Sequence, residues 1–269
     1  GVRVPILGVT DRQVRQFPRI GVLRKGAART PEDIAKKRPG KDLPYFRFTS
    51  DFPEVAATFR ELYGEQPRSV RVYLPYQTTA ECFEAWCEEW VAGGLRHRCD
   101  GVTVCVWQDQ EGLYHTGNGG KCPGGCKQVG RLTVVIPEFR RLAVVTVQTS
   151  SKHDILRLQS QLAALEEATG SLKGIPLLLR RAAVPISTPS RGADGKVKRT
   201  RVPKSLLSIE AAPDWVGLKL AALDAAARPE VPQLTAAQGL MLTERVADQG
   251  PRAGAALRSD LEVVAGQAD

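Results

Sequence analysis

A chain of 269 residues with a formal net charge of +9 has room for one large domain or two small ones around a substantial core. Six cysteines are too few for a disulfide scaffold at this length, and no apolar run reaches the roughly 20 residues of a membrane span. Since no signal-peptide pattern opens the sequence, we expect a soluble protein of a reducing cytoplasm.

The N-terminal segment is strongly basic. Residues 1–41 contain 11 Lys or Arg and three acidic residues, a net charge of +8. Five prolines in the first 50 residues exclude a long helix, because each lacks a backbone N–H and restricts the residue before it. A short helix at Asp11–Phe17, a strand from Arg19 and an edge strand from Tyr45 fit this pattern. Residues 1–50 are predicted to be a basic, extended segment that packs on the core.

A first main helix is predicted over residues 79–92, after a strand at 70–75. Thr78 and Glu81 have the spacing of a capping box, in which each side chain bonds the other residue's backbone N–H. A glycine pair, typical of a helix end, follows the segment. Apolar residues recur at helical spacing between these signals, at Phe83, Trp86, Cys87 and Trp90.

Three pairs of antiparallel strands are predicted further along. Residues 95–107 contain Asp100-Gly101, a dipeptide that favours a tight hairpin turn. Residues 131–137 and 142–149 are β-branched runs joined by a short link, which favours antiparallel pairing. A long hairpin is predicted over residues 184–209.

A second main helix is predicted over residues 152–169, with Ser151 as its N-cap and Gly170 at its end. Asp154 is expected to interact with the positive end of this helix. Two main helices among roughly eight short strands predict an α+β fold. Its sheet is expected to be curved and mostly antiparallel, and an OB-like or barrel-like closure is one form it could take.

Four of the six cysteines lie within 28 residues, at Cys99, Cys105, Cys122 and Cys126. The last two are separated by three residues, a spacing at which two thiolates reach one tetrahedral zinc ion. We therefore predict a structural zinc site. Reduced cysteines packed around a glycine-rich loop, or a disulfide, are the alternatives.

The predicted hairpin favours Cys99, Cys122 and Cys126 as ligands, since Cys99 at the turn and Cys105 on the return strand would hold their sulfurs apart. The candidates for the fourth ligand are Cys105, His97 and His115. Three ligands and a water would suit a catalytic zinc, but no His-Glu-x-x-His or His-x-Glu pattern accompanies the cysteines. The site is predicted to be a clip that holds the loop at residues 113–125 to the sheet.

The second basic segment is the hairpin predicted around residues 193–195. Residues 191–204 contain six basic residues and one acidic residue. A protruding basic ribbon can lie along nucleic-acid phosphates or an acidic protein face, and solvated loops are the alternative. The candidate contact residues are Arg191, Lys196, Lys198, Arg199, Arg201 and Lys204.

The C-terminal part differs in composition from the rest. From Leu206 to the end there are five basic and nine acidic residues, and aromatic residues are scarce after Trp215. Residues 51–215 are therefore predicted to be the core, and residues 216–269 an Ala-rich tail that is helical or disordered.

Several stretches of this sequence resemble one phage protein family, the recombination directionality factor-like proteins of actinophages with large serine integrases. The stretches are PILGVTDRQVRQFPRIG (5–21), GKDLPYFRF (40–48), VYLPY (72–76), EAWCEEW (84–90), HRCDG (97–101), CKQVGRL (126–132) and TSSKHDI (149–155). The resemblance extends in order over roughly residues 4–215.

This resemblance implies a regulator that is not itself an enzyme. Such a factor binds the integrase and redirects it from joining attP and attB to joining attL and attR, which excises the prophage. Its partner would be a large serine integrase in the cytoplasm of the host bacterium, with attachment-site DNA contacted through the integrase. The cysteine cluster would then be part of the scaffold.

A second function fits the same residues. A single-stranded nucleic-acid-binding protein with an OB-like barrel and a structural zinc site would also combine short strands with two basic segments. Tight, steeply salt-dependent binding to an oligonucleotide in the absence of integrase would favour this alternative.

Overall fold

The computed structural model describes residues 17–36, 40–191 and 197–227, so the helix predicted at Asp11–Phe17 lies almost wholly outside the described residues. The chain divides into two units, Gly1–Leu218 and Lys219–Asp269. Apart from the end of the last helix, all elements below belong to the first unit.

The described residues contain eleven strands, five α-helices and a 3-10 turn at Pro137–Phe139, which confirms the predicted α+β class. The strands are β1 (Arg19–Gly26), β2 (Asp42–Thr49), β3 (Ser69–Val72), β4 (Phe83–Val91), β5 (Gly94–Cys99), β6 (Val104–Gln108), β7 (Tyr114–Thr116), β8 (Lys127–Val134), β9 (Val144–Thr149), β10 (Leu177–Arg191) and β11 (Val197–Ala211). The helices are α1 (Pro31–Ala35), α2 (Pro53–Tyr63), α3 (Thr79–Cys82), α4 (Lys152–Thr169) and α5 (Pro213–Ala227). No helix in these ranges is both long enough and apolar enough to cross a bilayer.

The larger sheet has eight strands in the order β2-β1-β9-β8-β4-β5-β6-β7. Neighbours are antiparallel, as predicted, except for β1 and β9, which run parallel. The order has two ends, so over the described residues the sheet is open and forms no barrel. The predicted edge strand is β2, at one of these ends.

The smaller sheet is built on the predicted long hairpin. β10 and β11 are antiparallel along their whole length, whereas β3 pairs only with Leu177–Arg180. Helix α4 lies along the other side of β11, where the N–H groups of Leu207 and Ile209 donate to Asp154 Oδ1 and Gln161 Oε1, both at 3.0 Å. These bonds satisfy donors on the edge strand that would otherwise lack partners.

Helix α4 has the bounds that its sequence signals predict. The Ser151 side chain accepts a bond from the N–H of Asp154, and Gly170 ends the helix in the left-handed conformation at φ 72°. Leu158 and Leu162 are fully buried against the sheets. Gly130 on β8 allows this close packing, because a Cβ there would come within 2.9 Å of a carbon of Ile155.

Asp154 is fully buried and links four elements. It accepts bonds from Thr149 Oγ1 on β9 at 2.8 Å and from the Leu207 N–H on β11 at 3.0 Å. The ammonium group of Lys25 on β1 lies 2.8 Å from its Oδ2. The carboxylate at the start of α4 is therefore a tertiary anchor as well as a group near the helix N-terminus, which the sequence reasoning did not foresee.

The prediction of a helix over residues 79–92 is wrong beyond Cys82. The capping box of Thr78 and Glu81 forms, but the helix has one turn and the chain continues as β4. β4 lies in the middle of the sheet between β5 and β8, and backbone pairing on both edges outweighs the helical spacing of its aromatic residues. Helix α2, which begins at Pro53 and buries Val55 and Phe59, was not predicted.

Glu88 explains why β4 holds its place in the sheet. The carboxylate is 99% buried, at a relative exposure of 1%. Arg131 on β8 bonds both of its oxygens, at 2.8 and 2.6 Å, and Arg98 on β5 donates to Oε1 at 2.9 Å. Burial alone would raise the pKa of Glu88, but the bonds from Arg131 and Trp90 and the two arginine charges outweigh it and lower the pKa.

Glu88→Gln should destabilise the protein by about 3 kcal/mol at neutral pH, because two partly buried arginines lose their nearest counter-ion and keep only the more distant carboxylate of Glu84, at 3.6 and 3.9 Å. The folded pKa of Glu88 is depressed, so its contribution is present above the unfolded carboxyl pKa of about 4.3 and is lost as the pH falls through the folded value. Urea unfolding of both proteins at pH 7 and near pH 3 measures this. An equal difference in unfolding free energy at both pH values would contradict the assignment.

Candidate metal centre

Strand β5 and the loop before β8 bring four potential metal ligands together. His97 and Cys99 lie on β5, with relative exposures of 5% and 1%, and their side chains share one face because alternate strand residues do. Cys122 and Cys126 come from the Cys-Pro-Gly-Gly-Cys loop. Gly124 and Gly125 within it have φ values of 92° and 80°, which glycine adopts without strain.

Backbone bonds attach the loop to the β5–β6 hairpin. The N–H of Cys122 donates to the carbonyl of Val102 at 2.8 Å, and Val104 exchanges bonds with Gly119 and Gly120. The predicted hairpin forms, with a four-residue connection in which Asp100 accepts bonds from the N–H groups of Val102 and Thr103. The loop is therefore held to the sheet beside the hairpin end that carries Cys99.

The donor atoms of His97, Cys122 and Cys126 all lie within 4.8 Å of one another, close enough to share one metal ion. His97 Nε2 lies 3.0 Å from Cys126 Sγ and 3.7 Å from Cys122 Sγ, and the two sulfurs are 3.4 Å apart. Cys99 Sγ lies 3.6 Å from Cys126 Sγ. Ligands at about 2.0–2.3 Å from one zinc ion would lie about 3.5–3.8 Å from one another. His97, Cys122 and Cys126 could therefore hold a metal ion, with Cys99 close by.

Two predicted candidates lie outside this cluster. The Cys105 thiol donates to the carbonyl of Thr103 at 3.4 Å. His115 stacks on Trp107 and its Nε2 lies 2.6 Å from Asp109 Oδ2. Of the three candidates for the fourth ligand, the structure brings only His97 close to Cys122 and Cys126.

Glu89 orients the histidine. Glu89 lies on strand β4, directly opposite His97 on the neighbouring strand β5. Its Oε2 lies 3.2 Å from His97 Nδ1. A carboxylate on one ring nitrogen leaves the other free to bind a metal as a lone-pair donor. Sequence reasoning missed Glu89 because it placed this residue on a helix.

The neighbouring thiols of the cluster shift one another's pKa values. A backbone hydrogen bond from Gly124, followed by contacts with His97 and the other thiols, lowers the pKa of Cys122 to about 7. Burial and the neighbouring thiols raise the pKa of Cys126 to about 12, and burial also raises that of Cys99. Cys122 therefore forms a thiolate near neutral pH, and its negative charge opposes deprotonation of Cys99 and Cys126. A bound cation would reverse this, since metal ligands are thiolates.

Comparison with known proteins identifies the family. The chain matches the family described as Gp3-like, recombination directionality factor-like, over residues 20–205. The chain belongs to this family. No curated protein and no solved structure gives a reliable match. The resemblance in the sequence is thus confirmed at the level of the family, and the matched range includes all four residues of the cluster.

The predicted basic ribbon corresponds to the part of β10 and β11 that extends beyond their pairing with β3. Arg199, Arg201 and Lys204 are exposed on β11. Lys196 and the side chains of Arg191 and Lys198 lie outside what the structure describes. The ribbon and the cysteine cluster are separate features of the described residues, and no side chain of the ribbon is part of the cluster.

Proposed function

We propose that this protein is the directionality factor of a phage large serine integrase. It binds the integrase and switches it from the attP × attB reaction to the attL × attR reaction that excises the prophage. The observation that carries the proposal is family membership over residues 20–205. On this proposal the protein is a regulator without catalytic activity, acting in the cytoplasm of the host.

A binding protein can redirect an enzyme only through differential affinity. It must bind the excision arrangement of the integrase better than the integration arrangement. Moving an equilibrium from 1:99 to 99:1 takes a preference of about 10⁴-fold, or about 5.5 kcal/mol. An interface of standard size, about 1,600 Å², is sufficient for such a preference when its central contacts are well packed.

Direct binding tests the first half of this mechanism. Purified protein should form a complex with its integrase in size-exclusion chromatography, and should bind integrase on attL more tightly than integrase on attP in a titration of the two DNA complexes. Equal affinity for the two complexes would contradict the switch, because equal binding shifts no equilibrium.

The cysteine cluster serves this function as scaffold. A structural zinc held by His97, Cys99, Cys122 and Cys126 would have four protein ligands and no open position. The arrangement of three thiols and one imidazole suits zinc among the divalent ions. The ion would fix the Cys-Pro-Gly-Gly-Cys loop to the end of the β5–β6 hairpin.

Glu89→Ala should weaken metal binding by about 10- to 100-fold, because His97 loses the carboxylate that orients its ring. Competition with a chromogenic chelator measures the affinity. The matched control is Glu111→Ala, which removes an exposed carboxylate from the loop between β6 and β7. Equal affinity in both variants would show that Glu89 has no role in positioning the histidine.

A further inference from the structure

A basic pocket lies at the carboxyl ends of β1 and β9. These strands run parallel, so both end at the same edge of the sheet. The pocket has a volume of about 850 Å³, within the range of about 300–1,000 Å³ that is usual for binding pockets. Its lining includes the basic residues Arg24, Arg29, Arg47 and Lys204. The pocket is therefore both concave and positively charged.

The fold brings the two basic segments of the sequence together at this pocket. Arg24 and Arg29 belong to the first segment, which has a net charge of +8, and Lys204 belongs to the second. More than 170 positions separate Arg29 from Lys204 in the chain. Arg47 on β2 contributes a further positive charge. The concentration of charge is therefore a property of the tertiary structure.

The two arginines on β1 and β2 repel each other. Arg24 lies directly opposite Arg47 in the strand pairing, an arrangement that destabilises a sheet. Partial burial, and then the charges of Arg47 and Arg19, lower the pKa of Arg24. Their hydrogen-bond partners are uncharged, since Arg24 donates to the Gln148 amide at 3.2 Å and Arg47 to the Gly26 carbonyl at 3.1 Å. The pair therefore keeps its positive charge at the pocket.

The carboxylates near the pocket are already paired. Asp42 accepts bonds from the buried Arg181 guanidinium at 3.0 and 3.1 Å and lies 3.7 Å from the Lys25 ammonium. Asp154 is paired with Lys25 at 2.8 Å. Among the described residues, no carboxylate forms an ion pair with any of the four basic lining residues named above. The described chain thus supplies no counter-ion for them.

Arg131 provides an internal comparison. In the cross-strand register, Arg47, Arg24, Gln148 and Arg131 follow one another across β2, β1, β9 and β8. Arg131 is held by both oxygens of Glu88, whereas Arg24 and Arg47 line the open pocket without such a partner. A fold that neutralises one arginine of this row with a carboxylate and leaves two free at a concave surface is suited to a carboxylate from another molecule.

The rest of the lining is in part apolar. Leu43 and Pro44 on β2, and Pro203 and Leu206 on β11, line the same cavity as the arginines. Protein–protein interfaces combine apolar residues with arginine in this way. The described lining includes no Phe, Tyr or Trp side chain on which bases would stack. The pocket therefore suits a protein segment that carries both carboxylates and apolar side chains better than it suits a nucleic acid.

We propose that this pocket binds an acidic segment of the protein partner, with an Asp or Glu side chain inserted between Arg24 and Arg47. The inference rests on the proposed function, which supplies that partner. Guanidinium groups bind carboxylates through paired, charge-assisted hydrogen bonds. The inserted carboxylate also relieves the repulsion between the two arginines. Arg29 and Lys204 add to the positive potential that attracts an acidic surface during association.

Biolayer interferometry with immobilised, DNA-free integrase tests the proposal, because it measures contact between the two proteins alone. Arg24→Gln combined with Arg47→Gln should weaken binding of the full chain about tenfold or more, since charge-assisted hydrogen bonds are lost. Binding by this variant should also depend less steeply on salt concentration than binding by the parent. Lysine at both positions keeps the charge but loses the paired geometry, so its effect should be smaller.

The matched control replaces two other exposed arginines with glutamine, Arg60 and Arg180, which pair with Glu65 and Glu210 away from the pocket. It should bind integrase within about twofold of the parent, because charges remote from a contact are screened by salt. Removal of the opposed arginines relieves repulsion, so the unfolding temperature of the pocket variant should not fall. An equal loss of affinity in the control would overturn the proposal.

Failure of this inference is distinguishable from failure of the proposed function. If the parent binds integrase and the glutamine variant of the pocket binds it equally well, the pocket is not the contact and the proposed function stands. If the parent does not bind integrase, the proposed function fails and the pocket proposal fails with it.

A labelled random-sequence duplex without integrase is the second probe. We expect the parent and the pocket variant to bind it equally weakly in fluorescence anisotropy. Tight binding of the duplex by the parent that is lost in the pocket variant would overturn the proposal, because the pocket would then be a contact for nucleic acid.

Discussion

Cys126→Ser should yield a protein without bound metal and with a markedly lower unfolding temperature. Cys126 Sγ lies at the centre of the cluster, within 3.0–3.6 Å of donor atoms of His97, Cys99 and Cys122. Free metal at about 1,000 times its dissociation constant stabilises the folded state by about 4 kcal/mol. For a protein of this size, that corresponds to roughly 8–16 °C in unfolding temperature.

Metal content by mass spectrometry and calorimetric unfolding measure the two effects. Cys105→Ser is the matched control, because Cys105 is close in sequence but bonds the Thr103 carbonyl outside the cluster. This control should retain one equivalent of zinc and the parent's unfolding temperature. Full metal content in Cys126→Ser, or equal loss in both variants, would contradict the assignment of ligands.

Asp154→Ala should destabilise the protein by about 3–5 kcal/mol, the range for removing one partner of a buried ion pair. The substitution leaves the Lys25 ammonium, which is 18% exposed, without its nearest carboxylate at 2.8 Å. It also leaves the Leu207 N–H and the Thr149 hydroxyl without acceptors in a buried position. Urea unfolding at neutral pH gives the change in the free energy of unfolding.

A second variant separates the two contributions of this carboxylate. Asp154→Asn keeps an acceptor for the Leu207 N–H but removes the charge that faces Lys25, so its loss should be intermediate. The control is Glu54→Ala, which breaks the exposed ion pair with Arg141 at 3.3 Å and should cost about 1 kcal/mol or less. If Asp154→Ala lowered the free energy of unfolding no more than Glu54→Ala does, the buried contacts of Asp154 would not be important for stability.

Helix α4 was predictable because its determinants are local. The Ser151 cap, the apolar spacing of Leu158 and Leu162, and the glycine at the end are all within 20 residues of sequence. The long hairpin of β10 and β11 follows from alternation and turn residues in the same way. Such signals need no knowledge of the rest of the fold.

Strand β4 was not predictable, because its determinants are distant. The spacing of Phe83, Trp86 and Trp90 fits a helix, but Glu88 becomes a buried group only once Arg98 and Arg131 lie on either side of it. The register in which β4 pairs with β5 and β8 cannot be read from a single sequence. The same limit applies to Glu89, whose contact with His97 depends on the pairing of β4 with β5.

The cysteine cluster was predictable in part. The Cys-Pro-Gly-Gly-Cys spacing indicates a metal loop, and the hairpin argument places Cys99 beside it. The choice of His97 over Cys105 and His115 depends on how the loop lies on the hairpin, which requires the structure. The convergence of Arg24, Arg29 and Lys204 on one pocket likewise depends on topology, although both basic segments are plain in the sequence.

An in vitro recombination assay tests the central proposal most directly. The purified protein is added to its cognate integrase, and the attL × attR and attP × attB reactions are scored in parallel. We expect attL × attR recombination to appear only when the protein is present and attP × attB recombination to decrease. No effect on either reaction, from protein that is folded and retains its metal, would contradict the proposed function.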